Sequence, residues 1–491
     1  MEDSKLFLQT IKTPGLAHNA YILGSNGYAI IVDPRRDIGE YLQIARKNKL
    51  EIQYVFETHR QEDFVLGSAQ VREITGAKVV SGKHPLSAHS DITLEDGEDL
   101  VFGDLTLRCL YTPGHTPESV SYAVYMNEKP NSTWSVFTGD ALFIGAAGRT
   151  DLPDPNKTAE NAGILFDSIQ NKLLPLGDQT LLFPAHGSGS VCGGNIAGYD
   201  DSTIGFERTY NPAFTQTRDQ FIQSKLKERI PRPPYFKLME VLNLKGGIPL
   251  HKSAEFISVL SAHHFKRESP SGIVIDTRLP EAFAGGHIPD SFSIWLEGLP
   301  VFVGWVADDK VPVFLVLDRP EDIERAFLFL ERVGVDNIAG ILAGGFEAWR
   351  DAGFEIEITG TVSVESTCID EMTVLDVRDI TEYESGHVRD SKHLYVGFIP
   401  EVDDILERLD ANKPLAVTCA VGHRASLAVS MLARTGRKNV FNLLGGITAW
   451  KKKNKPLVSG PDKEQTLDQS VIEKQSGKQQ TGHSCEPTPT K

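Results

Sequence analysis

The chain has 491 residues, 40% hydrophobic and 24% charged, with a formal net charge of −16. Its length calls for about three domains, and its acidic balance excludes a nucleic-acid or anionic-membrane binder, whose contact surfaces must be basic. No apolar run approaches a membrane span, the start MEDSKLFLQT lacks a secretory pattern, and five scattered cysteines fit a reducing compartment, so a cytoplasmic location is expected.

In chain order, the first ~240 residues alternate apolar strands with Gly/Pro/Asp turns, as in YAIIVDP, IQYVF, LTLRCLYTPGH, WSVFTGD and TLLFPAHG. Helical patterns lie between them, which predicts a layered α/β arrangement with polar residues at strand ends. His59, His115, Asp140 and His186 each follow one of these strands. Strand ends gather at one edge, so the four side chains can converge there. The proline-dense RIPRPPYF, 229–236, cannot continue a helix and is expected to be a linker.

Those blocks resemble the metallo-β-lactamase superfamily, and GHTPESVSY with FTGDALFIGAAGRTDL is most similar to its persulfide dioxygenase branch. The resemblance implies an αββα sandwich over residues 1–243. A two-metal turn of that superfamily reads His-x-His-x-Asp-His, whereas here it is His59-Arg60-Gln61-Glu62-Asp63-Phe64. Gln61 offers only an amide oxygen and Phe64 nothing. His59, His115 and Asp140 remain, a set suited to one Fe(II) per chain because three protein ligands leave positions open. Persulfide dioxygenases are expected to use this trio for iron. Asp63 and His186 are expected to orient ligands or bound water, and Asp33 to be structural or to do the same. Arg149 is a candidate for holding a substrate carboxylate, with a structural salt bridge as the alternative. Cys192, in HGSGSVCGG, is a candidate for contacting a persulfide, with a plain buried thiol as the alternative. Cys109 belongs to the core.

Beyond the linker the chain repeats itself. VIDTRLPEAFAGGHIPDS, 274–291, matches VLDVRDITEYESGHVRDS, 374–391, and LAGGFEAW, 342–349, matches LLGGITAW, 443–450. Two parallel-sheet α/β domains are expected, at 250–357 and 360–457, followed by a polar, disordered tail at 458–491. In PLAVTCAVGHRAS, 414–426, a strand leads into Cys419, then a tight loop with Gly422 and Arg424, then a helix. Convergent N–H groups, a helix start and a guanidinium all favour a thiolate. The domain resembles rhodanese sulfurtransferases, which implies a catalytic Cys419 and Arg424, with Gly422 in the substrate loop. In the first copy VFLVL is followed by DRPEDIERA, which puts Asp318 at the nucleophile position by residue count. A carboxylate cannot carry sulfur, so this copy is expected to be inactive. Cys368 and Cys485 have no supporting context.

Taken together, the resemblances imply a persulfide dioxygenase fused to a tandem rhodanese. Its partners would be a small persulfide such as glutathione persulfide, dioxygen, and sulfite or thiosulfate. Nucleic acid and membrane are not expected, and a homo-oligomer is compatible with the sequence. Two alternatives stand beside it: a glyoxalase II-like thioester hydrolase working with two metals, and a non-catalytic N-terminal platform carrying an active rhodanese.

Overall fold

Strands that are apolar on both sides need cover on both sides, and the N-terminal strands are of this kind. Every residue of β2 (His18–Ser25) is at least half-buried. The computed structural model describes residues 6–152, 154–250, 254, 257–402, 405–410, 413–468 and 471. In it, one sheet runs in the order β1 (Phe7–Thr13), β2, β3 (Tyr28–Val32), β4 (Glu51–Phe56), β5 (Lys78–Gly82), β6 (Ile92–Leu94). A second contains β7 (Asp99–Phe102), β8 (Leu105–Tyr111), β9 (Val120–Met126), β10 (Thr133–Gly139), β11 (Leu181–Pro184) and β12 (Ser202–Thr203), neighbours in that sequence. Tyr21, Ile30 and Phe56 of the first sheet meet Leu107, Tyr122 and Phe137 of the second. Outside, helix Gly39–Lys47 covers the first sheet through Tyr41 and Ile44. Helix Thr158–Ser168 covers the second through Ala162 and Leu165. This is the expected helix–sheet–sheet–helix sandwich.

The later sheets have matching orders. The first is β13 (Val259–Leu260), β17 (Ile338–Leu342), β16 (Val313–Val316), β14 (Ile273–Asp276), β15 (Phe292–Ser293). The second is β18 (Gly360–Ser363), β22 (Val440–Leu444), β21 (Leu415–Thr418), β19 (Thr373–Asp376), β20 (Lys392–His393). Every ladder in both is parallel. The repeated Asp, Arg and His prove to be a staple of the fold. Arg278 Nη2 donates to Asp276 (2.6 Å) and to the Gly286 carbonyl (2.8 Å), and Arg378 repeats both bonds at the same lengths on Asp376 and Gly386. His287 stacks on Phe283 and His387 on Tyr383, each at 3.8 Å.

Two expectations need correction. The proline segment is no free linker: Tyr235 and Phe236 are buried, and Phe236 opens a helix, Phe236–Asn243, packed into the main core. The tail expected from residue 458 is ordered where it is described. Leu467 N–H donates to the His393 carbonyl (2.8 Å), and Asp468 accepts from Tyr395 N–H (2.9 Å). Leu467 and Val471 are buried, because the edge beside β20 needs both hydrogen-bond partners and apolar cover. The rest of the expected tail lies outside the described residues.

One apolar core links the parts. It contains Leu16, Phe64 and Leu152 from the sandwich, Trp305 and Leu330 from the first repeat, and Phe398 and Leu432 from the second. At its rim Arg36 forms a two-pronged bond with Asp336 (2.6 and 2.8 Å), and Arg332 reaches back to Asp37.

Candidate metal centre and thiol loop

His59 lies just past β4, His115 past β8, Asp140 directly after β10 and His186 past β11, at one edge of the sandwich. Gly139 makes the approach possible. At its φ of +53° a Cβ would lie 2.5 Å from Thr58 Oγ1, so a side chain there would push the Asp140 strand end away from His59.

Asp140 Oδ2 lies 3.8 Å from His59 Nε2 and 3.4 Å from His115 Nε2. All three atoms are buried without a hydrogen-bond partner among the described residues. The opposite ring nitrogens explain which tautomers face inward. His115 Nδ1 donates to the Arg149 carbonyl (2.8 Å), which can only accept, so the neutral ring keeps its lone pair on Nε2. The Thr58 hydroxyl donates to Asp33 Oδ2 (2.7 Å) and so accepts from His59 Nδ1 (2.9 Å), baring that ring's Nε2 as well. Asp33 also accepts from Thr58 N–H (2.8 Å), from a left-handed backbone with φ +50° that is costly for a non-glycine residue.

Three acceptor atoms facing one point repel each other unless a cation lies between them, so the donor set fits a divalent metal ion. Burial drives His59 down to about 3. Burial also opposes a charge on His115, but Glu62 and Asp140 outweigh it and move its pKa up to about 9. Burial works against the Asp140 charge too, yet His186, His59 and His115 hold the carboxyl well below its usual range. A cation entering here would displace the His115 proton.

Glu62 was not anticipated. Its Oε2 is buried without a hydrogen-bond partner among the described residues, and it pairs with His115 Nε2 at 3.4 Å and lies 3.9 Å from His59 Nε2. The only hint in the sequence was an extra acid in the turn.

The other half of a two-metal site has been replaced. His186 Nδ1 lies 2.7 Å from Asp140 Oδ1, and its Nε2 lies 2.9 Å from Asp63 Oδ2. Each nitrogen faces a carboxylate, so both carry hydrogen. Burial opposes that charge, but Asp140 and Asp63 push the pKa well above the usual value. An imidazolium therefore stands where a lone pair would be needed for a second ion. The Phe64 ring, fully buried, packs on His18 at 4.1 Å.

Arg149 takes the structural alternative. Its five N–H groups are all spent, two on Asp151 and the others on the carbonyls of Val191, Ile230 and Pro231. It ties three loops together and so fixes the carbonyl that orients His115. Cys192 takes the buried-thiol alternative. It packs with Phe143 and Ile196, groups with Asp63 and His186 and not with His59 and His115, and burial pushes its pKa far up. Such a thiol is a poor nucleophile.

In the second repeat, Cys419 follows β21 and its Sγ accepts from Gly422 N–H at 3.1 Å. Gly422, with φ +113°, turns the chain into helix His423–Arg434. Arg424 is held by Glu382 through two bonds of 2.5 and 2.9 Å, an anchor the sequence did not suggest. Trp295 of the first repeat stacks on His423 at 4.7 Å.

Strand register corrects the assignment in the first repeat. Asp276 pairs with Val316 and Asp376 with Thr418, so Leu317, not Asp318, corresponds to Cys419. The repeated glycines agree: Gly345 faces the Leu317 carbonyl as Gly446 faces that of Cys419. Leu317 is buried and Asp318 is exposed. A leucine has no nucleophile, and the copy lacks one for that reason.

Comparison with known proteins agrees with this division. The metallo-beta-lactamase superfamily model matches residues 13–186, and the rhodanese-like domain model matches 261–352 and 364–453. The chain is 28% identical over 247 residues to mitochondrial persulfide dioxygenase ETHE1 of Bos taurus, covering 50% of this chain and 89% of that protein. It is 30% identical over 189 residues to the protein named "Probable metallo-hydrolase YqgX" of Bacillus subtilis, covering 34% of this chain and 84% of that one. A crystal structure of a metallo-beta-lactamase from Staphylococcus aureus superposes with a TM-score of 0.61 at 26% identity, covering 70% of this chain and 99% of the other. Among the described residues no helix is long and apolar enough to cross a membrane. The N-terminal part of the chain belongs to the metallo-β-lactamase superfamily, and two tandem rhodanese-like domains follow it.

Proposed function

We propose that the chain is a mononuclear iron persulfide dioxygenase joined to a sulfurtransferase. The observation that carries this is the convergence of three buried atoms of His59, His115 and Asp140 that lack hydrogen-bond partners among the described residues, beside a second-metal half filled by His186, held between Asp140 and Asp63, and by Phe64. Support also comes from the relative named as a persulfide dioxygenase, which aligns with half of the chain.

His59, His115 and Asp140 would hold Fe(II). When bound, the ion supplies the redox chemistry that joins dioxygen to the terminal sulfur of a small persulfide such as glutathione persulfide, RSSH + O₂ + H₂O giving RSH, sulfite and two protons. The Asp33–Thr58 pair and the Arg149 carbonyl keep both imidazoles turned inward. His186 holds its protons between Asp63 and Asp140 and keeps a second cation out. Burial of the whole group excludes bulk water.

At the second centre Cys419 attacks a sulfane sulfur as thiolate and displaces the leaving thiol or sulfite, forming a cysteine persulfide. Gly422 N–H stabilises negative charge on its sulfur, and Arg424, steadied by Glu382, draws anionic donors and acceptors to the loop. The persulfide then passes its outer sulfur to sulfite, giving thiosulfate, or to a thiol.

The rival is a two-metal thioester hydrolase, an activity class in keeping with the name of the Bacillus subtilis relative. Elemental analysis of anaerobically purified protein, with oxygen-electrode traces on glutathione persulfide, separates the two. One iron per chain and oxygen uptake are expected, both lost in Asp140→Ala, while Cys419→Ser stops thiosulfate formation and spares oxygen uptake. Two zinc ions per chain, or full uptake by Asp140→Ala, would overturn the proposal.

A further inference from the structure

The turn that lost its second-metal ligands gained an acid, and Glu62 is the residue to explain. Its side chain is 2% exposed, and Oε2 has no hydrogen-bond partner among the described residues; what it faces is His115 Nε2, at 3.4 Å. Arg60, the nearest basic residue in the chain, is turned to Glu118 instead. The position is fixed from behind. Asn243 Nδ2 donates to the carbonyls of Gln61 (2.7 Å) and Phe64 (2.8 Å), and Asn243 Oδ1 accepts from Leu66 N–H (2.9 Å). The backbone on both sides of Glu62 is clamped, and the carboxylate is aimed at the two imidazoles.

The spacing is informative. Bonds of about 2.1 Å place neighbouring donors about 3.0 Å apart on an octahedron and about 3.4 Å apart on a tetrahedron. Asp140 Oδ2 lies 3.4 and 3.8 Å from the two Nε2 atoms, and Glu62 Oε2 lies 3.4 and 3.9 Å from the same two. The two carboxylates approach the imidazole pair in equivalent ways, at distances that need only a small contraction onto an ion. Charge points the same way. Three donors leave a divalent cation with a net positive charge in a fully buried site, whereas a second carboxylate makes the centre neutral and avoids the desolvation cost of that charge.

We propose that Glu62 is a fourth protein ligand, so that the centre is a two-histidine, two-carboxylate site. The inference rests on the metal-centre reading given above, and its test keeps the two apart. Full-length protein is stripped with a chelator, reloaded anaerobically with Fe(II), and titrated against a chromophoric chelator; a parallel sample is loaded with Co(II) and its visible absorption recorded. Glu62→Gln, nearly isosteric, is expected to raise the iron Kd at least tenfold and to change the cobalt spectrum. Glu62→Asp, which keeps the charge but shortens the reach, is expected to fall between. A Glu62→Gln variant with a Kd within twofold of the parent and an unchanged cobalt spectrum overturns the inference. If His115→Ala also binds iron like the parent, the metal-centre reading itself fails.

Discussion

At Thr58 one hydroxyl decides which nitrogen of His59 faces the centre, because its hydrogen is committed to Asp33 and its lone pair to Nδ1–H. Thr58→Val keeps the shape and removes that oxygen. Iron retention is expected to weaken about 10- to 100-fold, read by chelator competition, and unchanged retention would refute the orienting role. Leu317 supports a second expectation. The loop from Leu317 to helix Ile323–Arg332 is two residues longer than the loop from Cys419 to helix His423–Arg434, and Asp322 holds the place before the helix that Gly422 holds in the second repeat. In a Cys419→Ser background, Leu317→Cys is therefore expected to leave thiosulfate formation below about a hundredth of the parent, since the thiolate would lack its cradle. Recovery to a tenth or more would show the loop to be dispensable. The candidate donors His59, His115 and Asp140 were legible because each ends an apolar strand. Glu62 was not, because nothing in a turn's composition says which way its side chains point. The two roles left open for Arg149 could not be separated, because three of its bonds go to distant carbonyls in the 191 and 230–231 loops. Asp318 was off by one because residue counting ignores loops of unequal length, which ladder register does not.

The helix Phe236–Asn243 carries the same lesson to the scale of elements. The prolines just before it read as a linker, yet the helix they lead into ends at Asn243, which makes three bonds to the turn that bears Asp63 and Glu62. Asn243 is fully buried. Asn243→Ala strands two carbonyls and an N–H in an apolar setting, with a cost of about 2–4 kcal/mol to the sandwich. Urea unfolding, followed beside iron content, is expected to show both falling together; full iron content with an unchanged midpoint would remove the clamp from the account. The duplicated sheets were plain in the sequence, because each Asp-Arg-His staple recurs in register. The segment around Leu467 was hidden by its polar composition. Among the described residues there, the buried apolar side chains are Leu467 and Val471, too few to stand out from a tail.

Across the whole molecule, the principal core draws side chains from all three domains, with Arg36–Asp336 and Arg332–Asp37 at its edge. Unfolding of the intact chain is therefore expected to be more cooperative than three separate melts. Ending the chain after residue 457 removes Leu467, Asp468 and Val471 and is expected to lower the thermal midpoint by several degrees. Calorimetry that finds the same midpoint would show those residues to be ornamental. The continuous interior also has a bearing on traffic. Among the described residues the parts are joined by buried aromatics and two-pronged ion pairs, so on the proposed function a sulfur species made at one centre is expected to reach the other by diffusion and not on a swinging arm.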